Sequence, residues 1–225
     1  MKVKVAKNAG FCMGVRRALD QVLNAARDLQ PDEIIHTYGP LIHNNQVLEI
    51  LEKRGIRCLQ DMEEVEEGRI AIRAHGIPPE ELKAMREKGF KVINATCPRV
   101  AKVQGIIKKH ALRGYGIVIV GDDNHAEVIG LKGFANGRAH VLSTAEGVEQ
   151  LPAMDRVLVV AQTTQDERAF KEISTLIEKR YPETEIYNTI CDSTHNRQEE
   201  VRALCKEVEA MVVVGFLRTG PDRDR

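Results

Sequence analysis

Apolar residues along this chain recur at two spacings. In "GVRRALDQVLNAARDL" the residues Val15, Ala18, Leu19, Val22, Leu23 and Ala26 fall on one face of a helix. "NNQVLEILEKRG", "PPEELKAMREKG", "PRVAKVQGIIKKHALRG", "DERAFKEISTLIEKRY" and "NRQEEVRALCKEVEA" also read as helices. Two of these open on proline and several close on glycine, the usual helix punctuation. Between them stand short apolar runs that read as strands: "KVKVA", "EIIHTYG", "RIAIRAHG", "KVINATC", "GIVIVG", "AHVLS", "RVLVVAQTT" and "EIYNTIC", with "MVVVG" beginning one more. Strands alternating with helices predict an α/β protein with mainly parallel sheets.

Composition narrows the class. Lys+Arg and Asp+Glu are both 33 in 225 residues, so no charge excess points to nucleic acid or to a membrane surface. The longest apolar runs are far too short to span a bilayer. The start, "MKVKVAKNAG", lacks the apolar core of a signal peptide. Five cysteines, an odd number, with no secretory signal predict a reducing, cytoplasmic setting.

The cysteines fall into two groups. "KVKVAKNAGFC", "FKVINATC" and "EIYNTIC" each end a predicted strand on a cysteine, and a helix follows within a few residues. Their spacing is about one small α/β lobe, a weak internal repeat. Cys12, Cys97 and Cys191 are thus expected at carboxyl ends of strands, where α/β folds place ligand sites. Nearby helix N-termini favour thiolate over thiol there. Three separate buried thiols is the plain alternative to a metal site. Close pairs of the structural-zinc kind are absent, and three distant thiolates suit an iron–sulfur cluster instead. Three such ligands leave one iron of a [4Fe–4S] cluster open. Cys205 shares an apolar helix face with Val201, Leu204 and Val208 and is expected in the core. Cys58 is expected to pack in the core or on the surface.

Histidines also sit at strand ends: His43 in "YGPLIHNNQ", His75 in "RAHGIPP" and His125 in "VGDDNHAEVIG". Each alone reads as a loop residue; converging, they suit a polyanion such as a diphosphate. His36 and His110 read as structural. Glu127 is either a solvated helix-start residue or a proton donor raised in pKa by burial. Thr163 and Thr164 cap a turn or serve the same cleft. Asn196 could be no more than a helix N-cap.

Taken together, "AGFCMGVRRA", "GPLIHNNQV", "RAHGIPP", "INATCPRV", "NHAEVIG", "AQTTQ" and "NTICDSTHNRQEEV" closely resemble the 4-hydroxy-3-methylbut-2-enyl diphosphate reductase family, in order from residue 1 to about residue 215. The resemblance implies three α/β lobes in a trefoil around a central cluster cavity. The lobes are expected at 13–97, at 98–188, and at 1–12 plus 189–225. It implies that Cys12, Cys97 and Cys191 bind a [4Fe–4S] cluster with one open iron. It implies that His43, His75, His125, Thr163, Thr164 and Asn196 serve the diphosphate substrate, with Thr163–Thr164 assisting the acid. Glu127 is then the catalytic acid. The implied reaction removes the substrate hydroxyl as water and gives isopentenyl and dimethylallyl diphosphate. Electrons would come from an external carrier such as ferredoxin or flavodoxin. After "MVVVG" the family continues with a Ser-x-Asn segment and a further half-lobe, whereas here "FLRTGPDRDR" follows. An incomplete third lobe is therefore expected, with weak substrate binding and little or no turnover by these residues alone. The alternatives are an inactive remnant of the family and a metal-stabilised module that binds a phosphorylated ligand without catalysis.

Overall fold

In the computed structural model, residues 2–30, 33–59 and 61–214 are described. The first sheet is built from β1 (Ile35–Tyr38), β2 (Ile56–Leu59), β3 (Arg69–Ile72) and β4 (Lys91–Asn94). The second contains β5 (Gly116–Val120), β6 (Ala139–Leu142), β7 (Val157–Ala161) and β8 (Thr184–Tyr187). Their spatial orders, β2-β1-β3-β4 and β6-β5-β7-β8, are the same topology used twice. Every pairing is parallel.

Helices cover both faces of each sheet, which explains the unbroken apolar strands. On the first sheet, Ala18 and Val22 of α1 (Met13–Ala26) and Leu51 of α2 (Asn45–Glu52) pack with Ile35, Ile56 and Ala71. Met85 of α3 (Pro79–Glu87) packs with Ile70 and Ile72 on the opposite face. In the second sheet, Ile117 and Ile119 point to Val103 and Ile107 of α4 (Pro98–Ala111) and to Leu131 of α5 (Ala126–Lys132). Val118 and Val120 point the other way, to Phe170, Ile173 and Ile177 of α6 (Glu167–Arg180). This is the period-two alternation of a strand sandwiched between helices.

The two lobes meet closely. A Cβ on Gly133 would lie 2.7 Å from Pro78 Cβ and 2.9 Å from its Cα, so the approach requires glycine. The far end of α4 is held by His110, which is buried as its sequence position suggested. Its Nδ1 lies 2.7 Å from the Ile106 carbonyl and its Nε2 3.1 Å from Glu185 Oε2 on β8.

Three expectations are corrected. Residues 2–6 and 211–214 form no strand. Val3 and Val5 are 74% and 76% exposed, and Val212, Val213 and Val214 at least 80%. A strand persists only on a ladder, and neither segment has one among the described residues. The N-terminal segment lies instead against α7 (Asp192–Leu204), with the Lys7 and Asn8 amides donating to Glu200 at 2.6 and 2.8 Å. Cys205 is exposed rather than in the core, because α7 buries none of its residues. Asn196 is no N-cap: it lies inside α7, whose cap is Cys191. Cys58 is exposed on β2. The divergent tail, 215–225, lies outside the described residues. Among the described residues, no helix is long and apolar enough to cross a membrane.

Candidate active site

The parallel topology gives each sheet a point where the strand order reverses, between β1 and β3 and between β5 and β7. Loops leaving the carboxyl ends of those strands diverge there and open a crevice. His43 follows β1, His75 follows β3, His125 follows β5 and Thr163 follows β7. The four sequence candidates thus flank the two switch points.

The histidines converge. The His43 and His75 ring centroids lie 4.7 Å apart, His75 and His125 5.4 Å, and His43 and His125 6.1 Å. One nitrogen from each lies within 4.8 Å of the others, close enough to share an ion. The protonation pattern favours an anion. The Glu127 amide donates to His125 Nδ1 at 3.1 Å, so that nitrogen carries a lone pair and the ring proton sits on Nε2. His125 therefore offers an N–H donor, not a second lone pair. His75 is held neutral, its pKa pushed down to about 3 by burial, then by His43, His125 and Arg73. Its buried Nδ1 has no hydrogen-bond partner among the described residues. Arg73 was not singled out from the sequence. It donates to the Gly76 carbonyl at 3.4 Å, which fixes a permanent cation beside the trio.

Glu127 lies in the first turn of α5, capped by His125, and is 1% exposed. Thr163 clamps it. The Thr163 amide donates to Oε1 and the hydroxyl to Oε2, each at 2.7 Å. Burial raises the pKa of Glu127, and the two bonds from Thr163 only partly oppose that. The result is a carboxyl suited to holding a proton in a dry setting. Thr164 is exposed, and its hydroxyl accepts from Gln162 at 2.9 Å. Asn196 is exposed in the second turn of α7.

Cys12, Cys97 and Cys191 are free thiols at the N-caps of α1, α4 and α7. None of the three thiols is spent on capping its helix. The repeat seen in the sequence has a structural counterpart. The Cys97 amide donates to the Ala74 carbonyl at 2.9 Å, and the Cys191 amide donates to the Thr163 carbonyl at 2.8 Å. Each acceptor lies two residues past the end of its strand, β3 or β7. One thiol turn is thereby fixed beside His75 and the other beside the Thr163–Glu127 clamp. Thr194 adds a bond from its hydroxyl to the Thr163 carbonyl at 3.2 Å. Gly14 brings the first two thiols together: a Cβ there would meet Cys97 Sγ at 2.6 Å and Cys12 Sγ at 3.8 Å. Three free thiols on three helix N-termini, two of them beside a position that excludes a methyl group, fit an iron–sulfur cluster by donor chemistry.

Residues 3–219 match the family model described as LytB protein. The 4-hydroxy-3-methylbut-2-enyl diphosphate reductase of Alkaliphilus oremlandii is 40% identical over 215 residues, 96% of this chain and 77% of the relative. The enzyme of the same name from Geobacter sp. (strain M21) is 43% identical over 216 residues, 96% of this chain and 75% of its own. A solved structure of (E)-4-hydroxy-3-methyl-but-2-enyl diphosphate reductase superposes with a TM-score of 0.79 at 40% identity, covering 97% of this chain and 78% of that one. The Plasmodium falciparum reductase structure gives 0.82 at 30% identity, covering 88% and 63%.

Proposed function

The chain belongs to the LytB protein family, and from that membership we infer that it is a 4-hydroxy-3-methylbut-2-enyl diphosphate reductase of isoprenoid biosynthesis. The observation that carries the reading is the Thr163 link. One residue clamps the buried acid Glu127 and, through its carbonyl, holds the turn of Cys191. An acid, an anion-binding trio and a thiol set on one side of the sheets suit a reaction that protonates a leaving hydroxyl beside a redox centre. A metal-stabilised binding module without catalysis does not account for a buried acid held at that junction.

Cys12, Cys97 and Cys191 would hold the [4Fe–4S] cluster. When bound, the cluster supplies single electrons and an open iron as Lewis acid toward the substrate oxygen. The remaining chemistry belongs to side chains. His43, His75 and His125 bind the diphosphate, with His125 donating through Nε2–H and Arg73 supplying charge nearby. Thr164 and Asn196 are assigned to the same substrate. The histidine contacts orient the allylic chain toward the thiol turns. Glu127 holds a proton at its carboxyl and releases it to the leaving oxygen, while Thr163 keeps the carboxyl aimed. In balance, one C–O bond breaks and one C–H bond forms. Two electrons and two protons are consumed, and water leaves with isopentenyl or dimethylallyl diphosphate. The electrons arrive from an external one-electron carrier of the ferredoxin or flavodoxin kind. The partial third lobe expected at 1–12 plus 189–225 is represented among the described residues by 2–12 and 189–214.

Anaerobic purification followed by iron, sulfide and zinc analysis tests the cofactor. Four irons with matching sulfide per chain are expected, and the visible spectrum should change on addition of the diphosphate substrate. Zinc without sulfide would refute the reading.

A further inference from the structure

The three thiol turns lie far apart in sequence, and no disulfide joins them. Backbone bonds tie two of them to the loops after β3 and β7, but not to each other. Three arginines connect the turns directly, and the Glu200 bonds to the Lys7 and Asn8 amides join the N-terminal segment to α7 farther from the cysteines. Arg17 of α1 donates from Nη1 to the Thr96 carbonyl at 3.1 Å, joining the Cys12 helix to the Cys97 turn. Arg99, in the first turn of α4, pairs with the carboxylate of Asp192, in the first turn of α7, joining Cys97 to Cys191. Arg197 of α7 donates from Nη2 to the Gly10 carbonyl, joining Cys191 back to Cys12. Every acceptor lies within two residues of a cysteine. The three links form a closed ring, with each cysteine turn held from two sides.

We propose that Arg17, Arg99 and Arg197 are positioning residues that tie the three cysteine turns to one another, so that the thiols are set before any cluster arrives. The proposal rests on the reductase reading for its purpose but not for its geometry. Guanidinium suits the task because it stays charged and keeps several fixed donors for carbonyl or carboxylate oxygens. A ring of three links localises a defect: losing one arginine frees the two turns it joins and spares the third.

That pattern is the test. Amide hydrogen exchange is followed by mass spectrometry on the metal-free chain, for the peptides around residues 12, 97 and 191. Arg99→Gln should speed exchange about threefold around Cys97 and Cys191, the loss expected for one exposed ion pair. Arg17→Gln should do so around Cys12 and Cys97, and Arg197→Gln around Cys12 and Cys191. Arg54→Gln, an exposed control after α2, should change none of them. Adding Asp192→Asn to Arg99→Gln should cost nothing more, since both remove the same link. Once the chain is loaded, each ring variant should lose iron to a chelator at least about tenfold faster than the parent. Uniform acceleration across the chain, or none, overturns the ring. A parent chain that takes up no iron and sulfide refutes the reductase reading instead, and the pairwise exchange pattern still decides the ring.

Discussion

Thr163 donates to both carboxylate oxygens of Glu127, through its amide and through its hydroxyl, at 2.7 Å each. Two such bonds ordinarily hold a carboxyl ionised. Here burial outweighs them, and the pKa stays raised. The same threonine's carbonyl receives the Cys191 amide, so the acid and one thiol turn share a support.

Glu127→Gln keeps the shape and both partners, because the Thr163 hydroxyl can rotate to accept from the new amide. Turnover should fall on the order of 10²-fold or more, the usual contribution of a general acid. Stability should move the other way. A raised carboxyl favours folding below its ordinary value near 4.5, and that benefit is lost as pH rises through the folded value. At pH 8 the variant should therefore melt higher than the parent, and the gap should narrow toward pH 5. A lower melting point across that range would show that Glu127 is structural.

Thr163→Val removes the hydroxyl and leaves the amide bond. One oxygen of Glu127 loses its hydroxyl donor, so the carboxyl should be harder to ionise. The limb of the pH–rate profile governed by Glu127 should shift to higher pH, and Thr163→Ser should restore it. A profile unchanged in Thr163→Val would remove the hydroxyl from the mechanism.

Much of this arrangement was legible in the chain. Parallel strands buried on both faces write themselves as unbroken runs such as "VLVVA", and their carboxyl ends located the histidines, Thr163 and two of the cysteines. The failures share one cause. Periodicity tells which residues share a face, not whether anything covers it. Val201 and Leu204 do share a face of α7, but the helix ends before Val208 and Cys205 beyond its end is exposed. "KVKVA" has strand composition but no neighbouring ladder among the described residues. α5 shows in the sequence only as a helix start at Glu127, because seven residues carry too little pattern to mark its extent. Arg17 and Arg197 were unreadable for another reason: their partners are backbone carbonyls, which carry no residue signature.

Gly14→Ala tests the thiol site without removing a ligand. The added methyl would fall 2.6 Å from Cys97 Sγ, well inside contact distance. The thiol must move, whereas α1 gains a better helix former. Iron content after anaerobic reconstitution should drop severalfold with the far-ultraviolet spectrum unchanged. Full iron content in the variant would place the cluster elsewhere.

His75 links stability to pH. Its ordinary value is 6.5, and in the folded chain burial, then His43, His125 and Arg73, bring it to about 3. Between those values the unfolded chain binds more protons, so stability rises with pH. The contribution is whole above 6.5 and is lost as pH falls toward 3. Urea unfolding of the metal-free chain should show that loss, on the order of a few kcal/mol. His75→Asn should flatten it. Equal slopes for the two proteins would mean that His75 is not the buried neutral group described.

The most direct measurement is product formation. The anaerobically reconstituted chain is given 4-hydroxy-3-methylbut-2-enyl diphosphate and a one-electron donor, and products are separated by chromatography beside Glu127→Gln and Cys97→Ser. The expected result is isopentenyl and dimethylallyl diphosphate from the parent, with two electrons consumed per molecule. Glu127→Gln should retain iron and substrate binding but give almost no product, and Cys97→Ser should lose the iron. A parent chain carrying its full iron and sulfide that leaves the substrate intact would contradict the assignment.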